Sequence, residues 1–188
     1  MTWTIEPETP ADAAAIDALI ELCFGAGRYA KAAYRLREGV DPVPALSFVA
    51  HEEGQLQGSL RFWPILIGGS AALMLGPLAV KPALRGRGIG IDLMKRGIEA
   101  ATAMGFTFII LVGDEPYYAR VGFSRAPAGQ IDLPGPVDPR RLLFLELEPG
   151  ALARFKGAVT RPGLDHAVAA VSTVLSATLD APGEQERS

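Results

Sequence analysis

The sequence is poor in the residues that form disulfides and metal sites. It contains one cysteine and two histidines among 188 residues. The single Cys23 excludes an internal disulfide, and the histidines do not cluster with other ligands in a zinc-binding pattern. We therefore expect no bound metal ion.

A strong charge excess and long apolar runs are also missing. The net charge of −3 offers no broad positive surface for nucleic-acid phosphates. No apolar run reaches the roughly 18 residues that a membrane-spanning helix needs. The N-terminal part also lacks the basic segment and apolar core of a secretory signal, because Asp12, Asp17 and Glu21 interrupt residues 10–24. We expect a cytoplasmic protein, monomeric or homodimeric, without nucleic-acid or membrane partners.

Glycine, in contrast, is concentrated where it can shape a binding loop. Gly86, Gly88 and Gly90 follow an apolar segment and precede an amphipathic one. Without a Cβ, the backbone can curl and turn several N–H groups toward an anion, and the following helix adds the positive end of its dipole. The loop therefore predicts a diphosphate site, which Arg85 and Arg87 would supplement.

The glycine spacing excludes two common nucleotide loops. A dinucleotide-binding fingerprint needs G-x-G-x-x-G followed by an acidic residue, and a phosphate-binding loop needs Gly-Lys-Ser/Thr. Residues 85–90 read R-G-R-G-I-G, which fits neither pattern. The predicted diphosphate therefore belongs to another ligand.

Periodicity predicts a mixed α/β domain, and 188 residues suit one domain with a sizeable core. The predicted helices cover about 9–25, 28–38 and 91–104, and a short helix holds the paired tyrosines 117 and 118. The predicted strands cover 47–52, 56–63, 73–80, 106–112 and 142–147. Residues 163–179 have helical potential, and residues 181–188 look like a frayed tail.

The run Arg85-x-x-Gly88-x-Gly90 resembles the R/Q-x-x-G-x-G/A signature of the GNAT superfamily of acetyl-CoA-dependent N-acetyltransferases. The later run from Tyr118 to Gly122-Phe123 is similar to the Tyr-x-x-x-Gly-Phe element of that family. The double tyrosine after Val112-Gly113-Asp114 looks most like its YhbS-like branch. The resemblance covers residues 1–150, which we assign to the acetyltransferase domain, and residues 151–188 form a C-terminal extension.

The resemblance implies a central, twisted, largely antiparallel sheet that is flanked by helices and split around acetyl-CoA. The pantetheine arm would pair with the backbone of the strand before the loop, at Leu78 and Val80. The residues expected to bind the cofactor are Leu78, Val80, Arg85, Gly86, Arg87, Gly88, Ile89 and Gly90.

The resemblance also implies direct attack of a primary amine on the thioester in a ternary complex. A backbone N–H near Leu78 would hold the oxyanion, and Tyr118 would protonate the departing thiolate; Tyr117 is the alternative. The strand over residues 73–80 contains no acid. Asp114 and Glu115, at the end of the strand before the tyrosines, are therefore the nearest candidates for the general base, with His51 behind them; of these we assign Asp114 to the site. The segment also lacks the Asn-x-x-Ala spacing common elsewhere in the superfamily.

The acceptor is open at this point, as are two rival functions. A non-catalytic acyl-CoA-binding module and a transferase of longer acyl groups both fit the same motifs. Arg61 and Trp63 could line an acceptor pocket or simply share a half-exposed sheet face. The basic residues of the predicted second helix form a solvated face or recognise an acidic group on the acceptor; they are Arg28, Lys31, Arg35 and Arg37.

Overall fold

A mixed β-sheet organises the computed structural model, which describes residues 2–25 and 32–163. The strands are β1 Thr4–Pro7, β2 Phe48–Glu52, β3 Gln55–Ile67, β4 Ser70–Val80, β5 Phe108–Val112, β6 Ser124–Arg125, β7 Ile131–Asp132, β8 Leu142–Glu146 and β9 Gly157–Thr160. The α-helices are α1 Ala13–Phe24, α2 Ala32–Arg35, α3 Ile89–Ala103 and α4 Glu115–Tyr118. The predicted helix over 163–179 and the tail lie outside the described residues.

The sheet has the strand order β1-β2-β3-β4-β5-β8-β6, and β9 adds to the far end of β3. Neighbouring strands on this path are antiparallel except β4 and β5, which run parallel. This arrangement confirms the predicted mixed α/β class with a largely antiparallel sheet.

The β4–β5 pair separates soon after it forms. Pairing is confined to Leu73 with Ile109 and Met74 with Ile110, although β4 continues to Val80. Opposite Arg61 of β3, the β4 register shifts at Gly76-Pro77, so that β4 carries a bulge there. The second half of β4 therefore has an open edge on the side that faces β5.

Helices α3 and α1 pack on opposite faces of the sheet. A Cβ on Gly97 of α3 would lie 2.4 Å from Cε2 of Phe62, so glycine lets this helix pack directly on β3. Helix α1 places Ile16, Leu19 and Ile20 in an apolar cluster with residues of β2 and β4. Full burial of each such side chain stabilises the fold by about 1.5–3 kcal/mol.

Two parts of the fold differ from the sequence expectations or were missed by them. Of the predicted second helix, residues 28–31 lie outside the described part, and α2 itself ends at Arg35 with a turn after it. Strand β1 escaped prediction because it is four residues long and mostly exposed, so it has no apolar alternation. The boundary at residue 150 stays a prediction; just beyond it, β9 pairs with β3 and Phe155 stacks on Phe108.

Every helix among residues 2–25 and 32–163 is too short or too polar to cross a bilayer. In the same part of the chain, no three His, Cys, Asp or Glu side chains are grouped so that they could share a metal ion.

Candidate active site

A groove of about 480 Å³ follows the open edge of β4 down to the glycine loop. The backbone of β4 forms one side, and α4 closes the other with its two tyrosines. Its lining includes most of the cofactor-binding residues expected from the sequence, namely Leu78, Val80, Arg85, Gly86, Gly88, Ile89 and Gly90.

The loop turns because two of its glycines adopt positive φ angles. Gly86 has φ +85° and Gly88, the N-cap of α3, has φ +104°. A Cβ on Gly86 would meet open space, so the backbone conformation and not crowding requires glycine there. The amides of Ile89 and Gly90 lie in the first turn of α3, where they have no intrahelical acceptor. The loop thus presents unpaired donors at a helix N-terminus.

The amides of Arg85 and Arg87 serve the loop itself. They donate hydrogen bonds to the carbonyl oxygens of Pro82 and Leu84, with an N···O distance of 3.3 Å in both cases. The anion-binding capacity of the loop therefore rests on the glycine and helix-end amides and not on every residue from 85 to 90.

The two loop arginines point in different directions. Arg87 forms an ion pair with Glu52, with 3.1 Å between Nη2 and Oε1, and lies over the Trp3 ring. It does not line the groove, whereas Arg85 does. A second cation, Arg120, lines the same groove and was missed at the sequence level. Its position inside the Tyr-x-x-x-Gly-Phe element was the available signal.

Gly90 has a steric reason to be glycine. A Cβ there would lie 2.2 Å from the hydroxyl oxygen of Tyr117, which packs against the first turn of α3. The Tyr117 hydroxyl is thereby held beside the loop, and its ring meets the Tyr118 ring edge to face at 5.1 Å. Both tyrosines line the groove.

Tyr118 lies deeper, where the groove meets a second cavity. Its ring fills the space that a side chain at Gly113 would occupy and meets Phe123 edge to face. Burial, aided by Tyr117 and Asp114, raises the pKa of the Tyr118 phenol to about 12 despite the opposing charges of Arg141 and Arg37. The phenol is therefore fully protonated at neutral pH.

The backbone of β4 faces the groove with one of its carbonyls already in use. The Cys23 thiol donates a hydrogen bond to the Val80 carbonyl oxygen, with an S···O distance of 3.3 Å. Thiols are weak donors, so an amide could replace this contact at little cost. Cys23 is thus a groove-lining residue as well as part of the apolar side of α1.

The second cavity, of about 430 Å³, opens on the other side of Tyr118. It is lined by the bulge at Gly76-Pro77 and by the partly buried side chain of Arg37. The two cavities share four lining residues, which are Phe24, Leu78, Asp114 and Tyr118. A molecule in one cavity would therefore meet a molecule in the other at Tyr118.

The three candidate bases lie in different places. Asp114 borders both cavities, is 79% exposed, and pairs with Arg141 at 3.3 Å. Glu115 faces away and pairs with Arg125. His51 contacts Glu6 and Asp12 at 3.5 and 3.3 Å and lines neither cavity. The geometry brings only Asp114 of these three to the junction.

The residues that the sequence suggested for the acceptor side are Arg61, Trp63 and the basic residues of the second helix. Arg61 forms a bidentate ion pair with Glu8, and Trp63 donates from Nε1 to the Gly76 carbonyl oxygen over 2.6 Å. These side chains also line a cavity beside the bulge that Arg37 borders as well. Arg37 is not part of a solvated helix face, because its Nε is inaccessible to solvent and its guanidinium stacks on Trp63.

Comparison with known proteins supports the resemblance to GNAT acetyltransferases that the sequence motifs indicate. Residues 44–125 match the Acetyltransferase (GNAT) domain family. The chain is 35% identical over 125 residues to the N-acetyltransferase YhbS of Escherichia coli K12, which covers 65% of this chain and 74% of that protein.

Two solved structures are similar over most of the chain. Escherichia coli YhbS in complex with CoA has a TM-score of 0.73 and 29% identity, and covers 85% of this chain and 89% of its own. A GNAT acetyltransferase of Brucella melitensis in complex with acetyl-CoA has a TM-score of 0.64 and 31% identity, with 86% and 97% covered. The chain therefore belongs to the GNAT family of N-acetyltransferases.

Proposed function

We propose that the protein transfers the acetyl group of acetyl-CoA directly to a primary amine in a ternary complex. The observation that carries this proposal is the junction of two cavities at Leu78, Asp114 and Tyr118. One cavity has the donors for a diphosphate, and the other is large enough for a small amine or a peptide end. Bound CoA in YhbS and bound acetyl-CoA in the Brucella protein support the first assignment.

In this proposal the cofactor lies along the groove. The amides of Gly88, Ile89 and Gly90 bind the diphosphate with help from Arg85, and each charge-assisted hydrogen bond contributes about 1.5–3 kcal/mol. The pantetheine arm adds to the open edge of β4 at Leu78 and Val80, as a strand would. Its amide displaces the Cys23 thiol from the Val80 carbonyl.

The reaction then follows from the groups at the junction. The neutral amine attacks the thioester carbon, a C–N bond forms, and the backbone N–H of Leu78 donates to the oxyanion. The C–S bond breaks as the Tyr118 hydroxyl gives its proton to the sulfur. Before the attack, Asp114 accepts one proton of the ammonium group through water, because an amine of pKa near 10 is protonated at neutral pH. The nitrogen loses its second proton as the amide forms, and that proton restores the Tyr118 hydroxyl.

The high pKa of Tyr118 has a clear consequence for this step. The phenol stays protonated and ready to donate, but it is a weaker acid than the CoA thiol, whose pKa is about 8.5. The proton must therefore move as the C–S bond breaks, when the sulfur is most basic. Positioning of the hydroxyl at the junction supplies the advantage.

The direct test is acetyl-CoA-dependent thiol release with a library of amines and peptides. Stimulation by an amine, together with mass-spectrometric detection of the N-acetyl product, would support the proposal. Tight acetyl-CoA binding without release would instead favour a non-catalytic binding module, and preference for longer thioesters would favour another acyl group. Cytoplasmic location and a monomeric or homodimeric state remain predictions.

A further inference from the structure

The inner wall of the second cavity carries the cation of Arg37, which is only partly exposed to solvent. Its Nε is inaccessible to solvent and has no hydrogen-bond partner within residues 2–25 and 32–163, and its guanidinium stacks on Trp63 at 5.6 Å. Nη2 lies 3.0 Å from the position that a Cβ on Gly76 would occupy, directly over the β4 bulge. No ion pair of Arg37 occurs among the described residues.

Burying a cation without an anion costs free energy. Burial lowers the pKa of the Arg37 guanidinium to about 10, although Tyr34 and Tyr118 act in the opposite direction, so the group is charged at neutral pH. The stacking on Trp63 offsets only part of this cost. The placement of Arg37 at the bulge, next to the predicted thioester position, suggests a role in binding.

The other charges near Arg37 are engaged or separate from it. In the same cavity Asp114 pairs with Arg141, and Asp138 pairs with Arg140 at 2.8 Å. Asp17 and Glu38 line a neighbouring cavity that Arg37 also borders, yet neither forms an ion pair with it. Arg37 is therefore the uncompensated charge of the second cavity within the described part of the chain.

We infer that Arg37 binds a carboxylate on the acceptor, so that the substrate is an amine that carries an acidic group close to its nitrogen. The inference rests on the proposed function and names its substrate class. A carboxylate suits the planar guanidinium, whose Nη atoms remain available as donors. Because the guanidinium overlies the bulge, a carboxylate bound there would hold the amine near Leu78 and Tyr118.

A different role for Arg37 makes a different prediction. The cation lies close enough to Tyr118 to favour its phenolate, and it could simply assist proton donation. Loss of that role would lower turnover equally for acidic and neutral amines. It would leave the relative binding of acidic and neutral ligands unchanged, so binding selectivity separates the two roles.

The test uses product analogues, because their binding does not require turnover. N-acetyl amino acids with small and aromatic side chains are paired with their carboxamides, and calorimetry measures both on the full chain saturated with CoA. We expect the carboxylates to bind about 10–100-fold more tightly than the amides, the range for one or two charge-assisted hydrogen bonds. In Arg37→Met this preference should fall to about one, and Arg37→Lys should restore part of it.

Arg35→Met is the matched control, since Arg35 is an exposed arginine at the end of α2 and should keep the wild-type preference. Thermal unfolding verifies that each variant is folded. Equal binding of acids and amides to the wild type, no binding of either, or an unchanged preference in Arg37→Met would each overturn the inference. Thiol release is measured separately: carboxylate selectivity without amine-stimulated release would refute the proposed reaction and leave the anion site intact.

Discussion

The two cavities that meet at Tyr118 are built in opposite ways. One side of the groove is formed by a continuous stretch of backbone, from Leu78 to Gly90, and its glycines set the shape. The second cavity is lined by side chains from distant parts of the chain, such as Arg37, Asp114 and Arg141. If the proposed function is correct, main-chain geometry holds the acetyl-CoA and side chains select the acceptor.

The same contrast holds within the sheet. Where β4 and β5 pair, at Leu73 and Met74, the side chains are buried and belong to the packed interior of the sheet. A few residues later the strands separate, and β4 has an open edge that lines the groove. An unpaired strand edge is a liability elsewhere, and here the bound cofactor would cover it.

The largest effect is expected from breaking the backbone site. Gly88→Glu places bulk and a negative charge among the amides that would bind the diphosphate. We expect acetyl-CoA affinity to fall by about 10³-fold or more, because three such hydrogen bonds are worth at least about 4.5 kcal/mol. Calorimetry on the folded variant measures this loss.

Gly88→Ala is the control for the positive φ of +104°. It brings the same backbone strain, about 1–2 kcal/mol, without the charge. If the alanine and glutamate variants bind acetyl-CoA equally, strain explains the effect and the amides are not the diphosphate site.

The second prediction concerns the residue at which the cavities meet. Tyr118→Phe removes the proton donor and keeps the packing against Gly113 and Phe123. We expect turnover to fall by about 10²–10⁴-fold with little change in acetyl-CoA affinity. Tyr117→Phe, which alters the hydroxyl beside Gly90, should lose far less. A larger loss for Tyr117→Phe would assign proton donation to Tyr117.

The contrast between the cavities also explains how much the sequence could predict. Residues 78–90 and 118–123 are contiguous, and glycine spacing within them encodes the local backbone, so the groove and Tyr118 could be located. The second cavity depends on how β4 bulges and on which residue after α2 turns inward. Arg37 looks like one of four surface charges in the sequence, because no local pattern distinguishes a residue buried by distant strands.

Single side chains at the groove were harder still. Arg85 and Arg87 are equivalent in the sequence pattern, and only the fold sends Arg87 toward Glu52 and Trp3. Strand β1 was missed for a related reason, since its residues gain their place by pairing with β2 and not from apolar periodicity.

The third prediction tests Asp114 as the acceptor of the amine proton. Asp114→Asn should lower turnover by about 10²-fold at neutral pH, the lower end of the range for general base catalysis, because the group is exposed and acts through water. The loss should shrink as the pH approaches the pKa of the amine, where the free base is already present. Glu115→Gln is the control, and a deficit that is the same at every pH would show that Asp114 is not the base and only pairs with Arg141.

The smallest effect should separate the two loop arginines. Arg85→Met removes one cation from the groove and should weaken acetyl-CoA binding about tenfold, the value of one charge-assisted hydrogen bond. Arg87→Met should change affinity by less than about threefold, since its guanidinium pairs with Glu52 outside the groove. It should instead lower the free energy of unfolding by about 0.2–1 kcal/mol, the usual value of a partly exposed ion pair. Calorimetry measures the acetyl-CoA affinity of both variants, and denaturant unfolding measures their free energies of unfolding. If Arg87→Met loses as much affinity as Arg85→Met, the Arg87 side chain turns toward the cofactor when the cofactor binds.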